Sequence, residues 1–248
     1  MRSIKVKING VESQLTVVGC QHGNERFGKV VIDDVHADTG LSVQVRTILA
    51  NERAYELNRR WIDTDLNRSF NRSDISGHEA DIAPSLLAEC QKSQYILDIH
   101  TTKADERFIP IVTNLTKGVR YILSHLEAEN VAFIKAAEAP HSLIGNHPAA
   151  VSLEFGEEYS ESDKAAHIAM NAIKGVLSGE YGDYRSKRIY EIDSLIPNTS
   201  EKLPDGLKSG DFSTIHDGYV LMPRATTYQG FLAKNVYDID LMGGGKES

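Results

Sequence analysis

The sequence predicts an α/β fold with a largely parallel or mixed sheet, followed by a small β-rich part. Apolar strands alternate with helices through most of the chain, which is typical of an α/β domain. Towards the C-terminus the pattern changes to short strands separated by Gly, Pro and Asp. We therefore predict an α/β domain over residues 1–184 and a small β-rich domain over residues 185–248.

The composition is that of an ordinary globular protein. The chain has 248 residues, of which 41% are hydrophobic and 25% charged, and a formal net charge of −8. A general nucleic-acid binder needs clustered Lys and Arg, so this charge argues against that class. No apolar run approaches the about 20 residues of a membrane span. Only Cys20 and Cys90 are present, so we expect no disulfide framework and a cytoplasmic location.

The first twenty residues predict a β-hairpin. Residues 4–8 alternate between apolar and polar side chains, and residues 14–18 form a second apolar run. Between them lies Asn9-Gly10, which is a strong turn signal.

Hydrophobic periodicity assigns the elements that follow. Helices have apolar residues three or four positions apart, as Ile82 and Leu86 are, whereas buried strands are short apolar runs. In chain order we predict a helix over 26–38, a strand over 42–50, a helix over 77–93, strands over 95–99 and 108–112, a helix over 117–129, strands over 131–136 and 149–155, a helix over 162–178, and short strands over 189–196, 212–222 and 230–239.

Ligand-type side chains stand at the ends of predicted strands. GCQHGNE places His22 and Glu25 three positions apart directly after a strand, and His100 follows the run YILDI. In α/β sheets ligands gather outside the carboxyl ends of strands. Two imidazoles and one carboxylate are a ligand set that a catalytic zinc uses, with a further position for water. These three residues are therefore candidate ligands of one zinc ion per subunit, and the alternative for His22 and Glu25 is an ordinary strand-to-helix turn. Asp98 is either a partner that orients an imidazole or a strand-end cap.

A catalytic base would complete such a site. Glu154 ends an otherwise apolar strand, where desolvation raises the pKa of a carboxyl group towards the range useful for proton transfer. The alternative is a solvent-facing glutamate, as we expect for Glu157 and Glu158. Cys20 lies beside the predicted ligands but fits better as a small buried hydrophobe.

The polar passage over residues 51–71 supplies fixed cations and amides. Arg60, Asn67 and Arg68 lie in it, and a guanidinium group holds a carboxylate bidentately. Pairing of these arginines with Asp63 or Asp65 would instead give the passage a purely structural role.

Four blocks occur in a fixed order over the first 160 residues: GCQHGNE, NRRWIDTDLNRSF, LDIHTT and LEFG. In this pattern the chain resembles the succinylglutamate desuccinylase/aspartoacylase family, which is related to the zinc carboxypeptidases. The resemblance implies a zinc carboxypeptidase-like mixed sheet flanked by helices. It also implies that a small C-terminal β domain closes over the active site.

The resemblance also gives a role to each of eight residues. They are the zinc ligands His22, Glu25 and His100, the general base and acid Glu154, Arg60 that polarises the scissile carbonyl, Asn67 and Arg68 that bind the α-carboxylate of an N-acyl amino acid, and Tyr228, which matches a tyrosine brought into the site from the C-terminal domain.

The expected function is hydrolysis of the amide bond of an N-acyl amino acid by metal-activated water. The alternatives are a carboxypeptidase acting on a small peptide-like substrate and a non-catalytic ligand-binding homologue. Aspartoacylases bind the distal carboxylate of the substrate with an arginine upstream of the catalytic glutamate. The corresponding segment here, HSLIGNH, contains no arginine, so an aspartate- or succinyl-type substrate does not follow from the resemblance. A related role is considered for His141 and His147, but a loop histidine is the favoured interpretation of each. We expect a small-molecule substrate, no nucleic acid and no membrane, and family members are often dimers or tetramers, which allows for a homo-oligomer.

Overall fold

The fold is a mixed α/β arrangement in which helices flank one sheet. The computed structural model describes residues 7–9, 12–102, 108–197, 220–222 and 228–242. Its strands are β1 (Lys7–Ile8), β2 (Leu15–Gly19), β3 (Val45–Leu49), β4 (Tyr95–Thr102), β5 (Phe108–Val112), β6 (Asn130–Phe133), β7 (Ala150–Gly156), β8 (Ser186–Pro197), β9 (Val220–Met222) and β10 (Tyr228–Asp240). Its helices are α1 (Phe27–Ala37), α2 (Glu52–Glu56), α3 (His78–Cys90), α4 (Lys117–Leu123), α5 (Glu157–Ser160) and α6 (Asp163–Leu177).

Within the described residues the strands lie in the order β1-β3-β2-β4-β7-β5-β6-β8-β10-β9. Strands β3, β2, β4 and β7 are parallel to one another, and β7 is antiparallel to β5. The prediction of a mixed sheet flanked by helices is confirmed. Because β2, β4 and β7 are parallel neighbours, the residues at their carboxyl ends meet at one edge of the sheet.

The predicted N-terminal hairpin is wrong. Lys7 and Ile8 of β1 pair antiparallel with β3, while β2 lies between β3 and β4 as a parallel strand. All five residues of β2 are buried, which suits an interior parallel strand better than a hairpin arm. Residues 4–6 of the predicted first arm lie outside the described residues.

Two apolar layers pack against the sheet, one on each face. In β4, Leu97 and Ile99 belong to the layer covered by α1, α4 and α6, whereas Ile96 belongs to the layer covered by α3. Side chains alternate along a strand, so Asp98 and His100 share the face of Ile96. The polar residues of β4 therefore lie on the α3 side of the sheet, towards its carboxyl edge.

Local signals located the long helices well. In α1, Phe27, Val31 and Val35 are buried at helical spacing, and α6 begins after Ser162, whose hydroxyl accepts a hydrogen bond from Ala165 N. The helix predicted over 117–129 is too long, because α4 ends at Leu123.

The strands after residue 184 continue the same sheet. β8 is parallel to β6, β10 pairs antiparallel with β8, and β9 pairs with β10. The division of the chain at residue 184 stays a prediction. Among the helices of the described part, none has the length and apolar character needed to cross a membrane.

Candidate metal centre

The loop after β2 carries His22 and Glu25 and packs tightly against α2. A Cβ atom added to Gly23 would lie 2.1 Å from the carbonyl carbon of Ala54, so only glycine fits there. The Gly23 amide also donates a hydrogen bond to the carbonyl oxygen of Arg60 at 3.1 Å. These contacts hold the loop beside the passage that contains Arg60.

Three buried side chains converge at this edge of the sheet. Glu25 accepts a hydrogen bond at 2.7 Å between its Oε1 and His22 Nδ1, and another at 2.9 Å between its Oε2 and His100 Nδ1. One ligand atom from each of the three lies within 4.8 Å of the other two. Among the described residues this is the only such group of three or more His, Cys, Asp or Glu side chains. The three predicted zinc ligands are therefore brought together.

Each imidazole is held from its other side by a carboxylate. His22 Nε2 lies 3.0 Å from Asp65 Oδ1, and His100 Nε2 lies 3.0 Å from Asp98 Oδ2. Metal-binding histidines commonly use this arrangement, which fixes the ring and directs the other nitrogen to the metal. Asp98 takes the orienting position considered for it. The contact of Asp65 with His22 was not predicted, although Asp65 belongs to the D-L-N-R block.

The imidazoles and carboxylates of the cluster stabilise one another's charged forms. Burial alone would lower the pKa of His100, but the carboxylates of Asp98 and Glu25 raise it well above its usual value. Burial would likewise raise the pKa of Glu25, yet the imidazoles of His22 and His100 hold it well below its usual range. A divalent cation bound between these groups would replace the imidazolium protons. The donor set therefore fits a zinc ion.

Glu154 lies next to this cluster. It is opposite His100 in the parallel pairing of β4 and β7, so both side chains project from the same face. Desolvation, together with the nearby negative charges of Glu25 and Asp98, raises the pKa of Glu154 to about 7. Such a carboxyl group can take up and release a proton near neutral pH.

The polar passage brings Arg60 to the centre. Its Nη1 donates to Glu25 Oε1 at 3.0 Å, and its Nη2 lies 3.8 Å from Asp65 Oδ2. Asn67 Oδ1 accepts a hydrogen bond from Leu143 N at 3.1 Å, which leaves the side-chain NH₂ group as the part able to donate to a ligand. Arg68 is exposed, and its Nη1 donates to the Asn67 carbonyl at 2.7 Å.

The two histidines considered as arginine substitutes lie in different places. His141 Nδ1 is 2.9 Å from the carbonyl oxygen of Phe70, next to the passage that contains Asn67. His147 instead precedes β7, at the amino ends of the strands, whereas the metal cluster is at their carboxyl ends. Its Nε2 lies 3.2 Å from the carbonyl oxygen of Ser93. His147 therefore lies away from the metal cluster, which agrees with its interpretation as a loop histidine.

Cys20 and Tyr228 are the other two residues that the sequence places at or near the site. Burial raises the pKa of the Cys20 thiol to about 12, and its Sγ donates to the carbonyl oxygen of Glu25 at 3.4 Å, as expected for a small buried side chain at the end of the strand. Tyr228 begins β10, where its backbone is opposite Pro197, and its side chain lies outside the described residues. A substrate-binding role for Tyr228 stays a prediction.

The fold and the cluster together define an α/β protein with a candidate metal centre at the carboxyl edge of its sheet. Residues 12–189 match the family model described as the succinylglutamate desuccinylase/aspartoacylase catalytic domain. The chain belongs to the succinylglutamate desuccinylase/aspartoacylase family.

The names of individual relatives refer to different substrates. The chain is 30% identical over 114 residues to a probable aspartoacylase of Acaryochloris marina. This match covers 41% of this chain and 39% of that protein. It is 32% identical over 175 residues to an N-acyl-aromatic-L-amino acid amidohydrolase (carboxylate-forming) of Xenopus tropicalis, covering 60% and 56%. The matches thus span only part of the length of these relatives.

A solved structure shares the fold. The succinylglutamate desuccinylase of Chromobacterium violaceum superposes with a TM-score of 0.68 at 17% identity. The superposition covers 94% of this chain and 86% of that chain. The likeness therefore includes strands beyond the sequence-matched domain.

Proposed function

We propose that this protein is a zinc-dependent hydrolase that cleaves the amide bond of an N-acyl amino acid. One observation carries the proposal: His22 and His100 direct Nδ1 at the Glu25 carboxylate while Asp65 and Asp98 hold their Nε2 atoms. Purely structural histidines have no need of a shared central carboxylate and separate outer ones.

The proposed zinc ligands are His22, Glu25 and His100. Ligands at tetrahedral zinc, with bonds of about 2.0–2.1 Å, are separated by roughly 3.3 Å. The contacts of 2.7 and 2.9 Å around Glu25 are hydrogen bonds shorter than this separation, so the three side chains would move slightly apart to hold the ion. When bound there, zinc would supply a Lewis acid that polarises the substrate carbonyl and lowers the pKa of water.

Glu154 is the proposed general base and acid. The residue is opposite His100 in the pairing of β4 and β7, and its pKa of about 7 suits removal of a proton from the attacking water. The same carboxyl group then returns the proton to the leaving nitrogen, so that the amine departs neutral. The proton thus stays on one side chain between the two steps.

The arginines and the amide are proposed to bind and polarise the substrate. Arg60 contacts Glu25, which places its guanidinium group where it can stabilise the developing negative charge on the carbonyl oxygen. Asn67 and Arg68 follow on the same passage and are proposed to bind the α-carboxylate. Tyr228 is proposed to reach the substrate from the C-terminal strands, which we propose form the small domain over the site.

The distal group of the substrate stays open in this proposal. The names of the relatives include an aspartoacylase and an amidohydrolase of N-acyl-aromatic amino acids, which share only the amide bond of an N-acyl amino acid. We propose a cytoplasmic protein, consistent with the two free buried cysteines of the structure, and a homo-oligomer as in related enzymes.

A substrate panel with controlled metal tests the proposal. Purified protein should contain about one zinc per chain and should hydrolyse at least one of a series of N-acetyl and N-succinyl amino acids. Chelation should abolish turnover, zinc should restore it, and His22→Ala should lose both zinc and turnover.

The other outcomes assign the alternatives. Turnover of dipeptides with no turnover of N-acyl amino acids would favour the carboxypeptidase. Zinc-free protein whose properties are unchanged by His22→Ala would falsify the enzymatic proposal.

A further inference from the structure

A buried carboxylate outside the metal cluster holds part of the polar passage. Glu79, in the first turn of α3, is 0% exposed. Its Oε1 accepts hydrogen bonds from the amide of Ile62 at 2.7 Å and from Asn51 Nδ2 at 2.9 Å. Its Oε2 accepts hydrogen bonds from the amides of Asp63 at 3.0 Å and Thr64 at 3.2 Å. Three consecutive backbone amides therefore surround one carboxylate.

These four donors, and no cation, compensate the charge of Glu79 within the described part of the chain. Consecutive backbone amides form a recognised anion-binding concavity. Burial would raise the pKa of Glu79, but the hydrogen bonds from the amides and from Asn51 lower it below its usual value. Burial of an ionised group costs free energy unless hydrogen bonds compensate its charge. The amides of residues 62–64 and the Glu79 carboxylate are therefore held in these relative positions.

The held segment lies between residues of the candidate metal centre. Residues 62–64 form neither helix nor strand, so no regular hydrogen-bond ladder fixes them. Arg60, which contacts Glu25, comes two positions before this segment. Asp65, which holds His22, follows it directly. A shift of residues 62–64 would therefore displace both groups.

The same network reaches the loop of the metal ligands. Asn51 donates to Glu79 through its Nδ2. Its Oδ1 accepts a hydrogen bond from Ala54 N and lies 3.1 Å from His78 Nε2. The Asn51 amide donates to the carbonyl oxygen of Cys20 at 3.1 Å, two residues before His22. Glu79 thus joins α3, the polar passage and the ligand loop.

We propose that Glu79 is a positioning residue that sets Arg60 and Asp65 against the metal centre. Its role in turnover rests on the proposed function, whereas its role in holding the passage and supporting zinc affinity does not depend on which substrate is cleaved. Displacements of about 1 Å far from the chemistry can lower turnover about 100-fold.

The test compares Glu79→Gln with Glu89→Gln in the 248-residue chain. Glu89 is on the same helix and pairs with Arg46 at 2.8 Å, so its substitution measures a general loss of helix contacts. Glu79→Gln keeps the shape but places an NH₂ group against amide donors. We expect faster hydrogen exchange at the amides of residues 62–64, about 10-fold weaker zinc binding in a chelator competition, and a 10- to 100-fold lower kcat with a smaller change in KM. Glu89→Gln should change none of these.

Glu79→Asp provides the second variant, because it keeps the charge with a side chain one methylene shorter. It should restore part of the exchange protection and zinc affinity, and it replaces Glu79→Gln if that protein does not fold. Unchanged exchange at residues 62–64, or faster exchange with normal zinc affinity and kcat, would overturn the inference. An equal effect of Glu89→Gln would do the same. If the wild-type protein hydrolyses no N-acyl amino acid, the proposed function fails while exchange and zinc affinity still decide the role of Glu79.

Discussion

His100 and His147 are both buried histidines at opposite edges of the same sheet, with 2% and 6% exposure. Burial would lower the pKa of His100, but Asp98 and Glu25 raise it well above its usual value. Within the described residues the hydrogen bonds of His147 are to backbone groups, the Ser93 carbonyl and the Ala149 amide, and burial lowers its pKa. The partners of the imidazole, rather than its burial, therefore decide its charge.

The two ends of the strands differ in the groups that surround a buried histidine. Carboxylates around His100 concentrate negative charge that a cation can neutralise. Backbone partners around His147 only satisfy the hydrogen bonds of a neutral ring. Substitutions around His100 should therefore affect zinc binding and turnover, whereas those around His147 should affect the free energy of unfolding.

The largest effect is expected from His100→Ala. Loss of one of three ligands should remove zinc from the purified protein and reduce hydrolysis to the background rate. Elemental analysis and a turnover assay measure the two results. His147→Asn is the matched control and should keep about one zinc per chain. Full zinc content and turnover in His100→Ala would show that His100 is not a zinc ligand.

Glu154→Gln should reduce kcat about 10²- to 10⁴-fold, because the amide cannot accept the proton of water. Zinc content should stay unchanged, since Glu154 is not a proposed ligand. Glu157→Gln, an exposed neighbour on α5, should keep normal kcat. Comparable kcat values for Glu154→Gln and the wild type would remove Glu154 from the mechanism.

Asp98→Asn should weaken zinc binding about 10- to 100-fold, because the amide holds the His100 ring less firmly and lowers its basicity. Competition with a chromophoric chelator measures the affinity. Asp33→Asn, on the exposed side of α1, sets the baseline for loss of one carboxylate. An Asp98→Asn protein with wild-type affinity would mean that Asp98 does not support the ligand.

The smallest effect is expected at His147. His147→Asn should lower the free energy of unfolding by about 1–3 kcal/mol at neutral pH, because buried backbone partners lose a hydrogen bond. The folded-state pKa of His147 lies below its unfolded value of 6.5, so the unfolded state binds more protons as the pH falls below 6.5. The stabilisation by neutral His147 is therefore present above pH 6.5 and declines below it.

Denaturant unfolding of metal-free wild type and His147→Asn between pH 7.5 and about pH 5 measures this effect. The difference in unfolding free energy between the two proteins should shrink as the pH falls. His22, His100 and His125 are common to both proteins, so their titration largely cancels. A difference that does not change with pH would show that His147 is not held neutral.

Much of the fold was predictable because its signals are local. The buried spacing of Phe27, Val31 and Val35 is visible in the sequence and determines the face of α1. The partner of β1 was not predictable, since Asn9-Gly10 marks a turn without specifying which strand receives Lys7 and Ile8. The strand order depends on how all faces are buried together.

The sequence by itself determined which residue types stand at the ends of which strands: His22 and Glu25 after β2, His100 in β4 and Glu154 in β7. Periodicity encodes these positions because each strand satisfies its own pattern of burial. Only the tertiary structure decided that these strands are neighbours and that Asp65, 43 positions from His22, holds its imidazole. Polar loops have no periodicity, and hydrogen bonds between distant residues form only once the packed sheet and α3 bring their backbones together.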